Sequence, residues 1–353
     1  MELENRLPVA ARMDIGGREP NGERRGIFLA KATFLFDSRG SVRLDDESPL
    51  PLYFEDQATP LGVLPRDDVP RRDDVFEVFL LGSARAPRGE PVREMRVHLS
   101  VGGVARELVV HGDRHWVGEG ESATISDPVP FTSMPVSWDR AFGGSAEVEV
   151  DHESFVDVSA PSNERGRGFD AGAMAASLDE ALQCPPGYPK LDRRRWLPNV
   201  EVPGDRVTQW GDVPVAEAWD PREPGWALYQ DLAGRANTGA GAEPNASSAE
   251  VRTRIHHRAH PAWVLPAVPP SPAWVELEGF SPEGRVTFEI PEDRFGIEYI
   301  LGERTGTRWA TPHALILLPD DGRFVMVHRL RFVVPPPIGA PRRAVVRTRR
   351  SVA

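Results

Sequence analysis

Cysteine is all but missing: Cys184 stands alone among 353 residues, so no internal disulfide forms and nothing asks for an oxidising compartment. Two prolines follow it and no acid–base partner lies nearby in sequence, which makes Cys184 a packing or surface residue and not a nucleophile. No apolar run approaches the length of a membrane span. The opening MELENRLPVAARMD carries acids where a secretory signal would carry an apolar core, and the expectation is a cytoplasmic protein with no membrane partner. Basic charge is in deficit, 42 Lys and Arg against 53 Asp and Glu for a net −11. That balance repels phosphate backbones and argues against nucleic acid. The G-x-S-x-G elbow of a hydrolase is also lacking, as is the Lys-bearing glycine loop of a nucleotide site.

Turn formers are abundant instead, with 35 Pro and 32 Gly beside enough Leu, Val and Phe for a core, which points to many short strands. GIFLAKATFLF (26–36) places Phe28, Ala30, Ala32, Phe34 and Phe36 at a period of two, and DSRG (37–40) turns it into SVRL. VFEVFLLG (75–82) reads as a strand covered on both faces. REMRVHLSV (93–101), the Gly102-Gly103 turn and ARELVVH form a second hairpin. Two more follow, at 273–280 with 285–290 and at 314–318 with 323–330. Between them the periodicity fades: GAMAASLDEALQ (172–183) is helix-like, and NTGAGAEPNASS (237–248) reads as a loop. VVRTR (345–349) reads as a fraying end or a closing edge strand guarded by its charges. The fold expected is mainly β, with two antiparallel sandwich- or barrel-like modules: an N-terminal module over 1–150 and C-terminal hairpins with a basic tail over 271–353. An irregular segment with one short helix spans 151–270.

Two clusters invite chemistry. SWDRAFGG (137–144) and HGDRHW (111–116) each set an Asp-Arg step beside a Trp. Asp113 and Asp139 have the makings of a glycosidase pair, and Trp116 and Trp138 those of sugar platforms. An arginine next to each acid favours the ionised carboxylate, which suits a brace better than a general acid. The expectation is therefore that Arg114 and Arg140 brace their loops, while Phe142 fixes a corner that Gly143 and Gly144 permit. A cytosolic glycan-binding or glycan-processing β protein using Asp113, Asp139 and the neighbouring tryptophans is the alternative. In HHRAH (256–260), His256 and His260 have the i, i+4 spacing of metal ligands. Pro261 follows at once and no acid or cysteine completes a set, so His256, His257 and His260 are expected to hold no metal. Trp196, Trp210, Trp219, Trp226 and Trp263 mark the middle segment, either as anchors for a partner or as packing for long loops.

Seven segments occur in order: LAKATF (29–34), APRGEPV (86–92), HGDRHW (111–116), PFTSMP (130–135), SWDRAFGG (137–144), NERGRGF (163–169) and LPNVE (197–201). In these the chain resembles a bacterial family catalogued as a domain of unknown function and linked to type VI secretion, whose members act as adaptors or chaperones that load toxic effectors onto the secretion spike. SWDRAFGG is similar to that family's YERAFGG marker, with Trp138 for Tyr and Asp139 for Glu. Where the family reads close to RFFNxAPxDQ, this chain has RIHHRAHPAW (254–263) and lacks the Asp-Gln end. The resemblance implies a non-enzymatic protein, without a cofactor, that binds a secreted effector or a spike-tip protein. Structural or partner-binding candidates on the matching segments are Asp113, Arg114, Trp116, Trp138, Asp139, Arg140, Phe142, Gly143, Gly144, Asn163, Gly166, Gly168, Phe169, Leu197, Pro198, Asn199 and Glu201. The loops around Trp116, 138–144 and 163–169 are expected to form one ordered surface.

Overall fold

The computed structural model describes residues 2–18, 24–68, 75–118, 122–151, 154–160, 162–169, 196–222, 258–301, 304–334 and 342–349. The helix-like patch at 172–183, the loop at 237–248 and Cys184 lie outside them.

The alternation in GIFLAKATFLF becomes the longest strand, Arg24–Phe36. Phe28, Ala30, Ala32 and Phe34 are buried at one parity, and Leu29, Lys31 and Thr33 are buried at the other, so both faces are covered. The second face is closed by residues 45–67. Thr33 Oγ1 accepts the N–H of Leu50 at 2.9 Å, and Lys31 Nζ meets Asp67 at 2.9 Å in an ion pair out of solvent. Asp67 also accepts the Tyr53 N–H at 2.7 Å, so one carboxylate fastens the loop to the sheet. Burial pulls the Lys31 ammonium below its usual range, and Asp67 pulls it back up.

This strand belongs to a seven-stranded sheet ordered Val264–Leu265, Phe76–Leu80, Thr311–Leu318, Arg323–Val334, Arg24–Phe36 and Ala10–Arg18, with Val42–Leu44 also beside Arg24–Phe36. Phe76–Leu80 runs parallel to Thr311–Leu318 and is buried along its whole length, Glu77 included, as its otherwise apolar sequence implies. An antiparallel five-stranded sheet is ordered Val200–Glu201, Val104–His111, Glu94–Val101, Trp274–Glu278 and Val286–Glu289. The two sheets share one core: Phe324 of the first stacks at 5.0 Å on Phe34 and at 5.0 Å on Phe288 of the second. The helical elements include the single 3-10 turns Pro87–Gly89, Pro261–Trp263 and Pro319–Asp321.

The protein is therefore mainly β, and the hairpins expected at 26–44, 93–111, 273–290 and 314–330 are present. The sheets do not follow the expected segments, however. Strands from 10–36 and 311–334 lie in one sheet, and strands from 94–111 and 274–289 in the other, because hairpin signals are local and carry no information on which hairpin pairs with which. The tail also departs from expectation. Arg342–Arg349 lies inside a four-stranded sheet, between Glu2–Glu4 and Arg294–Leu301, with Ala344, Val345 and Val346 buried, so it is no edge. Its arginines are matched by neighbours: Arg347 meets Glu298 at 2.5 Å, and Arg343 pairs with Glu4.

Candidate functional site

The strand Val104–His111 delivers HGDRHW to one end of the five-stranded sheet, and Val200–Glu201 pairs against it there. LPNVE thereby lies between HGDRHW and SWDRAFGG: the Asn199 N–H donates to Arg140 O at 2.8 Å, and the His111 N–H to Asn199 O at 2.7 Å. The Asn199 side chain completes the join. Its Nδ2 donates to His111 O and to Asp113 Oδ1, each at 3.1 Å. Its Oδ1 accepts from Arg140 at 3.2 Å and from Arg167 at 3.0 Å. Both arginines also reach Asp113 Oδ1, at 3.3 and 3.4 Å. Burial lowers the Arg167 guanidinium and Arg140 beside it adds to the effect, against the pull of Asp113 and Asp139.

The closer pairs are thus not the sequence-adjacent ones expected. Asp113 is matched by Arg140 and Arg167. Arg114 turns inward to Glu201 and to Pro198 O, the latter at 3.1 Å. Successive side chains of an extended segment point to opposite sides, so neighbours in sequence take different partners. Glu201 is fully buried, with His111 Nε2 3.0 Å away, and accepts the Val207 N–H at 2.7 Å. Burial alone would raise its carboxyl, but His111, Arg114 and Val207 bring it below its usual range. Asp139 accepts Ser137 Oγ at 2.5 Å, with Arg140 Nε 4.0 Å away.

NERGRGF docks on AFGG because the glycines leave room. Phe142–Gly143 pairs in parallel with Arg167–Gly168. Gly143 has φ +144°, and a Cβ there would sit 2.0 Å from Asn163 O, so no other residue fits. Asn163 Nδ2 donates to Trp138 O at 2.6 Å and to Phe142 O at 3.0 Å. Gly144 donates to Asn163 O at 2.8 Å, and Phe169 to Gly143 O at 2.9 Å. A Cβ on Gly166 would sit 2.6 Å from Ala141 O, and one on Gly168 2.8 Å from Pro198 and 3.4 Å from Phe142. Phe142, Leu197 and Val207 form a small apolar cluster under Trp116, whose indole meets Trp210 edge-on at 5.4 Å.

Trp138 is interior, 2% exposed. Its N–H donates to Asp220 Oδ1 at 3.0 Å and its indole Nε1 to Asp220 O at 2.8 Å. The Arg222 guanidinium lies 3.1 Å from the ring centroid, and His260 is stacked at 6.2 Å. Burial pushes the Asp220 carboxyl well above the carboxylate range, and burial draws Arg222 down, against Asp220 and Glu217. Nearby, the buried Glu217 is held by Arg106 and accepts Trp219 Nε1 at 3.1 Å. Burial works to raise Glu217, but Arg106 and His260 leave it below its usual range.

All seventeen candidates therefore gather in one neighbourhood, but most of them face inward. Arg114, Trp138, Phe142, Gly143, Asn163, Leu197, Pro198, Asn199 and Glu201 are buried; Trp116, Asp113, Asp139 and Arg140 are half-buried at the rim. Sequence reasoning missed Arg167, Glu217, Asp220 and Arg222. Arg167 lies inside NERGRGF, and AWDPR (218–222) repeats the Trp-Asp-Arg order of SWDR, a signal that was there to be used. Of the other tryptophans, Trp219 and Trp263 are fully buried and meet edge-on at 6.0 Å, so these two belong to the core and not to an outward face. Trp196 is half-buried against His115, and Trp226 lies outside the described residues, as do His256 and His257. His260 caps the turn Pro261–Trp263 by accepting the Ala262 N–H, and burial lowers its imidazole to about 4. Among the described residues no group of three or more His, Cys, Asp or Glu is placed to hold a metal ion.

The model of a family described as "Uncharacterized protein conserved in bacteria (DUF2169)" matches residues 21–329. Neither the comparison with curated proteins nor that with solved structures returned a match.

Proposed function

The chain belongs to the DUF2169 family, and we propose that it works as a non-enzymatic adaptor or chaperone, binding a type VI secretion effector or spike-tip protein and helping to load it onto the secretion apparatus. The observation that carries this reading is the use made of the marker residues. Asp113 is occupied by Asn199, Arg140 and Arg167, and the Trp138 ring carries Arg222 instead of lying open to a sugar. These residues hold three irregular segments, 137–144, 162–169 and 196–222, in one shape on the end of a sheet. Recognition of another protein needs such a rigid, irregular surface, and the rim residues Trp116, Asp113, Asp139 and Arg140 are its outward part. A cytoplasmic location suits loading before secretion.

Affinity capture with the full chain, in bacteria carrying a type VI locus, tests the reading by mass spectrometry of the bound fraction. Enrichment of an effector or spike-tip protein, reduced by Trp116→Ala and Asp139→Arg, is the expected result. Recovery of metabolic enzymes alone would reject it.

A further inference from the structure

At the edge of the five-stranded sheet away from Val200–Glu201, an open cleft of about 660 Å³ lies between Val42–Leu44 and residues 289–293, within the range of roughly 300–1,000 Å³ typical of ligand sites. Its floor is apolar, with Phe34 and Ile290 buried and Val42 and Leu44 half-buried. Among the described lining residues, Glu289, Glu292 and Asp293 bring carboxylates and Arg43 a guanidinium. Arg43 itself stands 4.0 Å from another exposed carboxylate, Asp46, so the mouth of the cleft is acidic.

One wall is a sheet edge: among the described residues Val42–Leu44 pairs only with Arg24–Phe36. The facing strand, Val286–Glu289, is last in the five-stranded sheet and is met at Thr287 O by Gly40. An edge strand presents a row of backbone donors and acceptors that one more extended segment can take. A β-strand sends alternate side chains to opposite faces, which matches a cleft apolar at its floor and acidic at its rim. A second copy of this chain is a poor occupant, because its arginine-rich strand, Arg342–Arg349, is already paired on both sides. We propose that the cleft binds an extended cationic segment of a partner protein as an added strand beside Val42–Leu44, its lysines or arginines at Glu289 and its neighbours, and its apolar side chains over Phe34 and Ile290.

The site stands on its own geometry. A chain that binds such a segment yet captures no secretion protein would sink the adaptor reading alone, and the reverse would sink the cleft alone. The test is fluorescence anisotropy on the full chain with a short labelled peptide alternating lysine and valine. Binding that weakens as salt rises is expected. Affinity should be about tenfold lower in Glu289→Lys and higher in Arg43→Glu; the gain cannot come from misfolding. A glutamate-valine peptide and a proline-interrupted lysine peptide should not bind, since the first reverses the charge and the second cannot enter a ladder. No binding of the lysine-valine peptide, equal binding of the proline-interrupted one, or indifference to both charge changes would each overturn the proposal.

Discussion

Asn199 has a side chain whose bonds an aspartate or a leucine cannot imitate. It donates to His111 O and Asp113 while accepting from Arg140 and Arg167, and it is wholly buried. Truncation leaves a backbone carbonyl and two partly buried guanidiniums short of partners at once, and each unsatisfied group costs about 1–3 kcal/mol. Asn199→Ala should therefore lower the unfolding free energy by roughly 3 kcal/mol, while Asp113→Asn, at a carboxylate 41% exposed, should cost about 1 kcal/mol or less. Urea unfolding followed by tryptophan fluorescence separates the two, and equal small losses would show that the hub is not where the stability resides. The membership of this site was legible, since HGDRHW, SWDRAFGG, NERGRGF and LPNVE do converge. Its pairing was not. The Asp-Arg steps read as local couples, whereas Arg114 goes to Glu201 and Asp113 to residues 27 and 54 positions away.

At the scale of elements, alternation and turn residues foretold the hairpins because both are set by the chain's nearest neighbours. What holds an irregular segment is set by distant residues, and there sequence was silent. Arg106 illustrates this. It sits on Val104–His111 with an alternation suggesting an outward side chain, yet it reaches Glu217, 111 positions on, and secures the strandless run through Trp219 to the sheet. Leu80 adds a backbone bond to Trp219 O at 2.8 Å. Glu217 is 1% exposed, so removing its cation strands a buried charge, at a cost of about 3–5 kcal/mol for a fully buried pair. Because Arg106 is itself 38% exposed, Arg106→Met should cost about 2–3 kcal/mol, below that range. Adding Glu217→Gln should recover part of the loss, since a neutral amide still accepts the Trp219 indole N–H. A double mutant no better than Arg106→Met would place the cost in lost packing instead.

Across the whole molecule, burying so many polar groups between two shared sheets makes stability depend on pH in a calculable direction. Burial holds His260 at about 4, with Arg222 and Arg106 adding to it and Glu217 opposing, and burial holds His328 at about 4 despite backbone bonds to Met326 and Asp293. Their ordinary value is 6.5, so between about pH 6.5 and 4 each takes up a proton on unfolding, and its stabilising share is lost as pH falls. Asp220 has the opposite sign. Its raised carboxyl keeps a proton in the folded state that the unfolded chain releases above 3.8, so its share is present at low pH and lost as pH rises. The uptake by two histidines outweighs whatever the one carboxyl releases, so stability falls as pH drops through this window. Urea unfolding at several pH values between 4.5 and 6 should show it. Asp220→Asn removes the opposing proton and should steepen the slope, whereas His328→Leu should flatten it. Because general destabilisation shifts both curves without changing their slopes, slopes that stay parallel to the parent's would refute this assignment of charge.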